Sequence, residues 1–211
     1  MKKMMMIAAM MIAAISANAQ NEVGQITLQP KVGMNIASYT GSGNKSRVGL
    51  AAGLEAEYGL AENFGVTVGA LYSMQGAKAD GYGAEVKFNT DYINIPILAQ
   101  YYPIKGLAIK AGVQFGFIVR QKAKIDVQGI QFADGTIDEF FDWFNEHSPA
   151  AGEYPEGKLN KFDFSIPVGL SYEYASFVLD ARYNIGASKV IKNYKGNNSV
   201  FQITLGYKFA L

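Results

Sequence analysis

Apolar and polar residues alternate along most of this chain with a period of two, the spacing of a β-strand whose two faces meet different surroundings. In the first such segment Ile26, Leu28, Pro30, Val32, Met34 and Ile36 alternate with Thr27, Gln29, Lys31, Gly33 and Asn35. Seven more segments repeat the pattern, with apolar positions running over 48–60, 64–74, 93–101, 107–117, 162–174, 177–185 and 201–209. The positions between them carry Gly, Ser, Thr, Asn, Gln and charges. The alternation predicts about eight strands, each long enough to cross a bilayer at a tilt, which takes about 9–11 residues. Pro96 and Pro167 fall inside two of these segments. Each removes a ladder donor, so a bulge or kink is expected at both.

The connections predicted between these strands alternate in length. Those at 61–63, 103–106 and 175–176 are short; those at 39–46, 76–91, 121–160 and 187–198 are long. Short turns at one end and long loops at the other, with both termini on the short-turn side, is the layout of an outer-membrane barrel. Aromatic residues on the apolar face cluster near strand ends: Tyr58, Phe64, Tyr72, Tyr101, Phe117, Phe162, Tyr174, Phe177, Tyr207 and Phe209. Rings at those levels form the girdles of a membrane barrel.

The opposite face mixes Gly with charges of both signs: Lys31, Glu55, Glu57, Lys110, Asp163, Glu173, Asp180, Arg182 and Lys208. A soluble barrel also alternates, with its apolar face inward. Its outer face has little use for so many glycines, whereas a narrow lumen needs small residues beside long ones. The expected fold is therefore all-β: a closed antiparallel up-and-down transmembrane β-barrel of about eight strands, its charges in the lumen. Lipid offers no hydrogen bonds, and a closed sheet pairs its own backbone without leaving edges. In a bore of this size side chains just fill the interior. The lumen charges are expected to form a salt-bridged plug, the competing reading being a narrow ion path.

Composition sharpens the picture at the N-terminus. Met1-Lys2-Lys3 is basic, 4–15 is an unbroken apolar run, and Ala17-Asn18-Ala19 supplies small residues at a cleavage position. That is the layout of a secretory signal peptide, and the run is too short for a spanning helix. The expected organisation is a signal peptide over 1–19, cleaved after Ala19, and a barrel domain over 20–211. The chain has no cysteine, which excludes disulfides, thiolate zinc sites and a lipid-anchored cysteine. The formal charge is +1, and removal of Lys2 and Lys3 leaves −1. Neither value argues for nucleic acid as a partner.

The long third loop carries the remaining candidate chemistry. Thr136-Ile137-Asp138-Glu139 is a capping-box pattern, followed by Phe140, Phe141 and Phe144 at helical spacing from Ile137. A short helix over 137–145 is expected, with Trp143 nearby. Its aromatic residues Phe140, Phe141, Trp143 and Phe144 either pack on the barrel rim or offer a contact surface. His147 stands beside Glu146 and Ser148. Three neighbours on one loop do not make a triad, which is assembled in space. No catalytic, cofactor-binding or metal residue is assigned.

Several stretches, in their order along the chain, carry a resemblance. They are Asp91-Tyr92-Ile93-Asn94-Ile95-Pro96-Ile97-Leu98, Lys110-Ala111-Gly112-Val113, Phe162-Asp163-Phe164-Ser165 with Val168-Gly169-Leu170, Asp180-Ala181-Arg182-Tyr183-Asn184, and Leu205-Gly206-Tyr207-Lys208-Phe209. The mature chain resembles the porin-like outer-membrane β-barrel domain family of small bacterial barrels. That resemblance implies residence in the outer membrane of a Gram-negative cell, contact with its bilayer and lipopolysaccharide, and insertion by the barrel-insertion machinery through the C-terminal strand. It implies no enzyme and no cofactor. Such barrels usually end on an aromatic, whereas here Ala210 and Leu211 follow Phe209. Leu211 keeps the outward parity. The expected function is a non-enzymatic barrel that presents loops for adhesion or ligand binding; the alternatives are a small channel and, more distantly, a lipid hydrolase or acyltransferase using His147.

Overall fold

The computed structural model describes residues 23–40, 44–81, 84–127, 130–136, 139, 160–190 and 196–211. Its elements are β1 (Ile26–Tyr39), β2 (Asn44–Ala61), β3 (Phe64–Gly81), β4 (Ala84–Ile104), β5 (Leu107–Val127), β6 (Ile130–Gly135), β7 (Phe162–Tyr174), β8 (Phe177–Lys189), β9 (Asn197–Tyr207) and β10 (Phe209–Ala210). Each barrel strand pairs antiparallel with the next, and β9 returns to pair with β1 from Lys31↔Gly206 to Tyr39↔Asn198. Eight strands thus close the sheet. β6 folds back on the far end of β5, and β10 resumes the β9 edge against Thr27 and Leu28. Among the described residues no helix is long and apolar enough to cross a membrane, and the spanning elements are strands.

The two faces divide as the alternation predicts. Leu50, Leu54, Val68, Ile109, Leu179 and Leu205 point away from the axis and are 42–54% exposed, whereas Arg182 and Glu55 are each 1% exposed. An apolar band around the whole circumference is far larger than a soluble monomer exposes. With charges inside and hydrocarbon outside, the surrounding solvent is lipid. Aromatic rings gather at two levels of the outer face. Phe177 packs edge-on to Tyr207 at 5.1 Å and Tyr207 meets Phe209 at 4.7 Å, near the short turns. Phe117 meets Phe162 at 5.6 Å and Phe115 meets Phe164 at 5.6 Å, nearer the long loops.

The short turns form where expected. The turn between β7 and β8 places both Ala175 (φ 47°) and Ser176 (φ 68°) in the left-handed region. A two-residue hairpin of this hand matches the twist of its strands but favours Asn-Gly. Ala175→Asn combined with Ser176→Gly is therefore expected to stabilise the barrel by about 1 kcal/mol, since a left-handed L-residue costs roughly that much. Urea unfolding in vesicles would register the shift; an unchanged midpoint would mean the strand ends hold the turn unaided.

Two expectations change, and a third falls mostly outside the described residues. Neither proline makes a bulge: the registers Pro96↔Gln114 and Pro167↔Asn184 run through without a shift. On the other side of each proline the register also holds, but no partners pair across the gap, between Val68↔Ile97 and Leu71↔Asn94 for Pro96 and between Ala111↔Val168 and Gln114↔Ser165 for Pro167. A missing N–H interrupts the ladder on one side only, so the strand need not bend. Second, much of what reads as loop over 76–91 and 121–127 is strand. β3 and β4 stay paired out to Gly81↔Ala84, and β4 and β5 to Ala84↔Val127. Third, of the expected helix over 137–145 only Glu139 lies among the described residues. The capping box itself is formed: Glu139 N–H donates to Thr136 Oγ1 (3.2 Å) and Thr136 N–H to Glu139 Oε2 (2.9 Å). Phe140, Phe141, Trp143, Phe144 and His147 lie outside the described residues, as does the leader over 1–19.

Candidate functional site

The inward face of the barrel carries nine ionisable residues picked out by alternation, and the register gathers eight of them into two adjoining groups. Arg182, on β8, lies at the centre of the first. Its Nη1 and Nη2 donate to Glu55 Oε1 (2.6 Å) and Oε2 (2.7 Å) on β2, and its Nε and Nη2 to Asp180 Oδ1 (2.7 Å) and Oδ2 (2.8 Å). A planar guanidinium suits this, because its fork grips two carboxylates at once. Lys31 Nζ on β1 donates to Glu55 Oε2 (2.8 Å) and reaches Asp180 Oδ2 (3.5 Å). Lys110 Nζ on β5 donates to Asp180 Oδ2 (2.7 Å). Side chains in this group are at most 3% exposed.

The second group lies towards the short turns. Lys208 Nζ pairs with Glu57 Oε2 (3.0 Å) and Glu173 Oε2 (2.9 Å), and the Tyr102 hydroxyl donates to Glu57 Oε1 (2.5 Å). Lysine 208 also stands 5.6 Å over the Tyr102 ring, within the range of a cation–π contact.

Charge bookkeeping links the groups. The first holds three cations against two carboxylates, the second one cation against two. Lys110 lines a small space together with Glu57, Glu173 and Lys208. The surplus cation of one group thus adjoins the surplus anion of the other, and the eight are neutral together. Buried charges persist only when paired in this way.

Glycine makes the room. A Cβ on Gly169 would stand 2.9 Å from Arg182 Cγ and 3.0 Å from Arg182 Cα. Gly169→Val is expected to displace the guanidinium and cost about 1–3 kcal/mol, the scale of overpacking. A variant as stable as the parent in urea would show that the guanidinium has slack.

Asp163 is the ninth residue, and it lies apart. It accepts from Ser188 Oγ (2.9 Å) and Asn198 Nδ2 (3.0 Å), both neutral, nearer the long loops. Around it the lumen is lined by amides and hydroxyls. Asn198 Nδ2 also reaches the Tyr92 hydroxyl (3.3 Å), and Asn35 Nδ2 donates to Ser73 Oγ (2.9 Å). Several buried atoms there have no protein partner: Asn35 Oδ1, Asn94 Nδ2, both amide atoms of Asn184, and Asn198 Oδ1. Buried groups of this kind are ordinarily met by water. Tyr92 and Tyr102, not among the predicted lumen residues, share the parity of the inward Asn94 and Gln100 on β4.

The lumen can pair charges and hold water. It has no group of three or more His, Asp or Glu placed to hold a metal among the described residues. A closed, lipid-facing sheet around a charged interior defines an outer-membrane type of barrel. The comparisons agree: the chain belongs to the outer membrane protein beta-barrel domain family, whose model matches residues 18–192. Solved structures share the fold. Ail, the attachment invasion locus protein of Yersinia pestis, in complex with the heparin analogue sucrose octasulfate, matches 89% of this chain and 100% of its own at 14% identity, with a TM-score of 0.50. OprG of Pseudomonas aeruginosa matches 90% and 98% at 15% identity, TM-score 0.43. Neisserial surface protein A matches 87% and 96% at 13% identity, TM-score 0.44. No curated protein matches the chain in sequence.

Proposed function

We propose that this protein is a non-enzymatic outer-membrane barrel with a closed lumen, whose work is done by the loops it holds outside the cell. The observation that carries the reading is the neutral set of eight buried ion-paired side chains spanning the bore, from Lys31 and Glu55 to Lys208 and Glu173. A bore filled by ion-paired side chains is a scaffold rather than a conduit. The capped start at Thr136 supports a short helix in the third loop, and Phe140, Phe141, Trp143 and Phe144 are its proposed contact surface. In this reading the leader over 1–19 is removed after Ala19 during export. The β9–β10 edge, ending at Leu211, engages the insertion machinery.

A small channel is the second reading. The unpartnered amides around Asn184 and Asn198 favour a wet half-lumen on the long-loop side, and a channel would need the ion-paired groups to part. Single-channel recording from the refolded protein in a planar bilayer separates the two. The scaffold reading expects a flat baseline from protein whose unboiled and boiled samples migrate differently. Reproducible current steps that change with Lys110 or Arg182 substitutions would establish the channel instead.

A further inference from the structure

The two ion-paired groups balance one another and leave one inward charge over. Asp163 is 6% exposed, and its side-chain partners among the described residues, Ser188 and Asn198, are neutral. Both donate to the same oxygen, Oδ1, at 2.9 and 3.0 Å. Among the described residues no donor reaches Oδ2, and no lysine or arginine stands within ion-pair distance of the carboxylate. A buried carboxylate that stays ionised without a countercharge is costly. Asp163 therefore either holds a proton or has a cation beside it.

The surrounding amides favour the cation. Asn198 is 3% exposed, and while its Nδ2 serves Asp163, its Oδ1 has no protein partner. The two heteroatoms of one amide are about 2.3 Å apart, which puts Asn198 Oδ1 within about 5 Å of Asp163 Oδ1. Oxygens that share a hard cation stand about 2.3–2.6 Å from it, and so no more than about 5 Å from each other. Gly186 abuts the Asn198 backbone, and the next inward position on β8 is Asn184, 2% exposed with neither amide atom paired. Across the lumen wall Asn94, Gly116 and Asp163 form one row over β4, β5 and β7. Gly116 keeps that row open: a Cβ there would meet Asn94 Oδ1 at 2.9 Å and Asp163 Cβ at 3.2 Å. The carboxylate is itself held in place, because Ser188 Oγ, its donor, accepts from Phe164 N–H (2.8 Å).

We propose that Asp163 and the amide oxygen of Asn198 bind a small monovalent cation of the sodium class in the long-loop half of the lumen. Asn184 and water complete its shell. One carboxylate balances one positive charge. Calcium takes 6–8 oxygens and favours several carboxylates, and no group of three or more His, Asp or Glu is placed to hold a metal among the described residues. The site lies on the long-loop side of the ion-paired groups, and it stands whether or not they close the bore.

The test uses the full refolded chain in neutral phosphatidylcholine vesicles, with sodium chloride exchanged for N-methylglucamine chloride at constant ionic strength. Sodium at about ten times its dissociation constant should raise the folding equilibrium constant of the parent about tenfold, read by urea unfolding. Asp163→Asn should abolish the response. Glu62→Gln, which removes an exposed carboxylate in the β2–β3 turn, should retain it. Sodium NMR gives the direct reading: the resonance should broaden with folded parent and not with Asp163→Asn. Heat-modifiable migration confirms that each variant is folded, and if Asp163→Asn does not fold, Asn198→Ala is read in its place. Parent stability that ignores sodium, or a sodium response that survives both substitutions, overturns the proposal and leaves Asp163 holding a proton. So does stabilisation by calcium at far lower concentration than by sodium.

Discussion

Arg182→Ala is expected to destabilise the folded barrel by about 3–5 kcal/mol, the cost of removing one partner from a buried ion pair. The reason is what remains. Glu55 and Asp180 are 1% and 0% exposed, and the guanidinium supplies two hydrogen bonds to each. Lys31 stays within reach of both carboxylates and Lys110 of Asp180, but an ammonium is a point charge and cannot replace a planar fork gripping two acids. The variant is expected to unfold at lower urea and to lose its unboiled, faster-migrating form at lower temperature. Arg182→Lys should recover only part of the loss. A variant of parental stability that conducts ions would show instead that Arg182 blocks an open path.

Glu55→Gln is expected to cost a similar amount, and its partner substitution should give part of it back. The first ion-pair group holds three cations against two carboxylates. With Glu55 neutral, Asp180 alone faces all three. Adding Lys31→Met removes one cation along with the bond that Glu55 made to it (2.8 Å). The double variant should therefore be more stable than the sum of the single effects predicts, by about 1–3 kcal/mol, the coupling expected between contacting charges. Urea unfolding of the parent, both single variants and the double variant completes the cycle. Additive effects would mean that the interior is hydrated enough to screen these charges from one another.

The fold was legible because a barrel wall is a two-sided object and the chain states both sides. Parity alone put Arg182 and Glu55 inward and Leu54 and Leu205 outward. The grouping of the charges was not legible. Arg182 and Glu55 are 127 positions apart, and their meeting depends on the stagger of strands around the closed sheet, which a single sequence does not encode. For the same reason parity placed Asp163 with the other eight, although its height on β7 leaves it among amides near the long loops. The prolines misled because donor loss was equated with a bulge, whereas each interrupts pairing on one side while the register continues. The glycines at 81 and 83 suggested a loop over 76–91. The continuing alternation of Val86, Phe88 and Thr90 with Lys87 and Asn89 was the better guide, and the two strands pair out to Gly81↔Ala84.

Closure of the lumen by the eight ion-paired side chains, as proposed, is open to test by thiol chemistry because the chain has no cysteine of its own. Ser171 is 6% exposed and lines the small space beside Glu57, Lys110, Glu173 and Lys208, on the short-turn side of Arg182. A small cationic methanethiosulfonate, applied from the long-loop side to Ser171→Cys in sealed vesicles, should leave the cysteine unmodified while the same reagent labels Val23→Cys in detergent. Labelling of Ser171→Cys from the long-loop side as fast as a cysteine placed in an exposed loop would contradict the closed lumen.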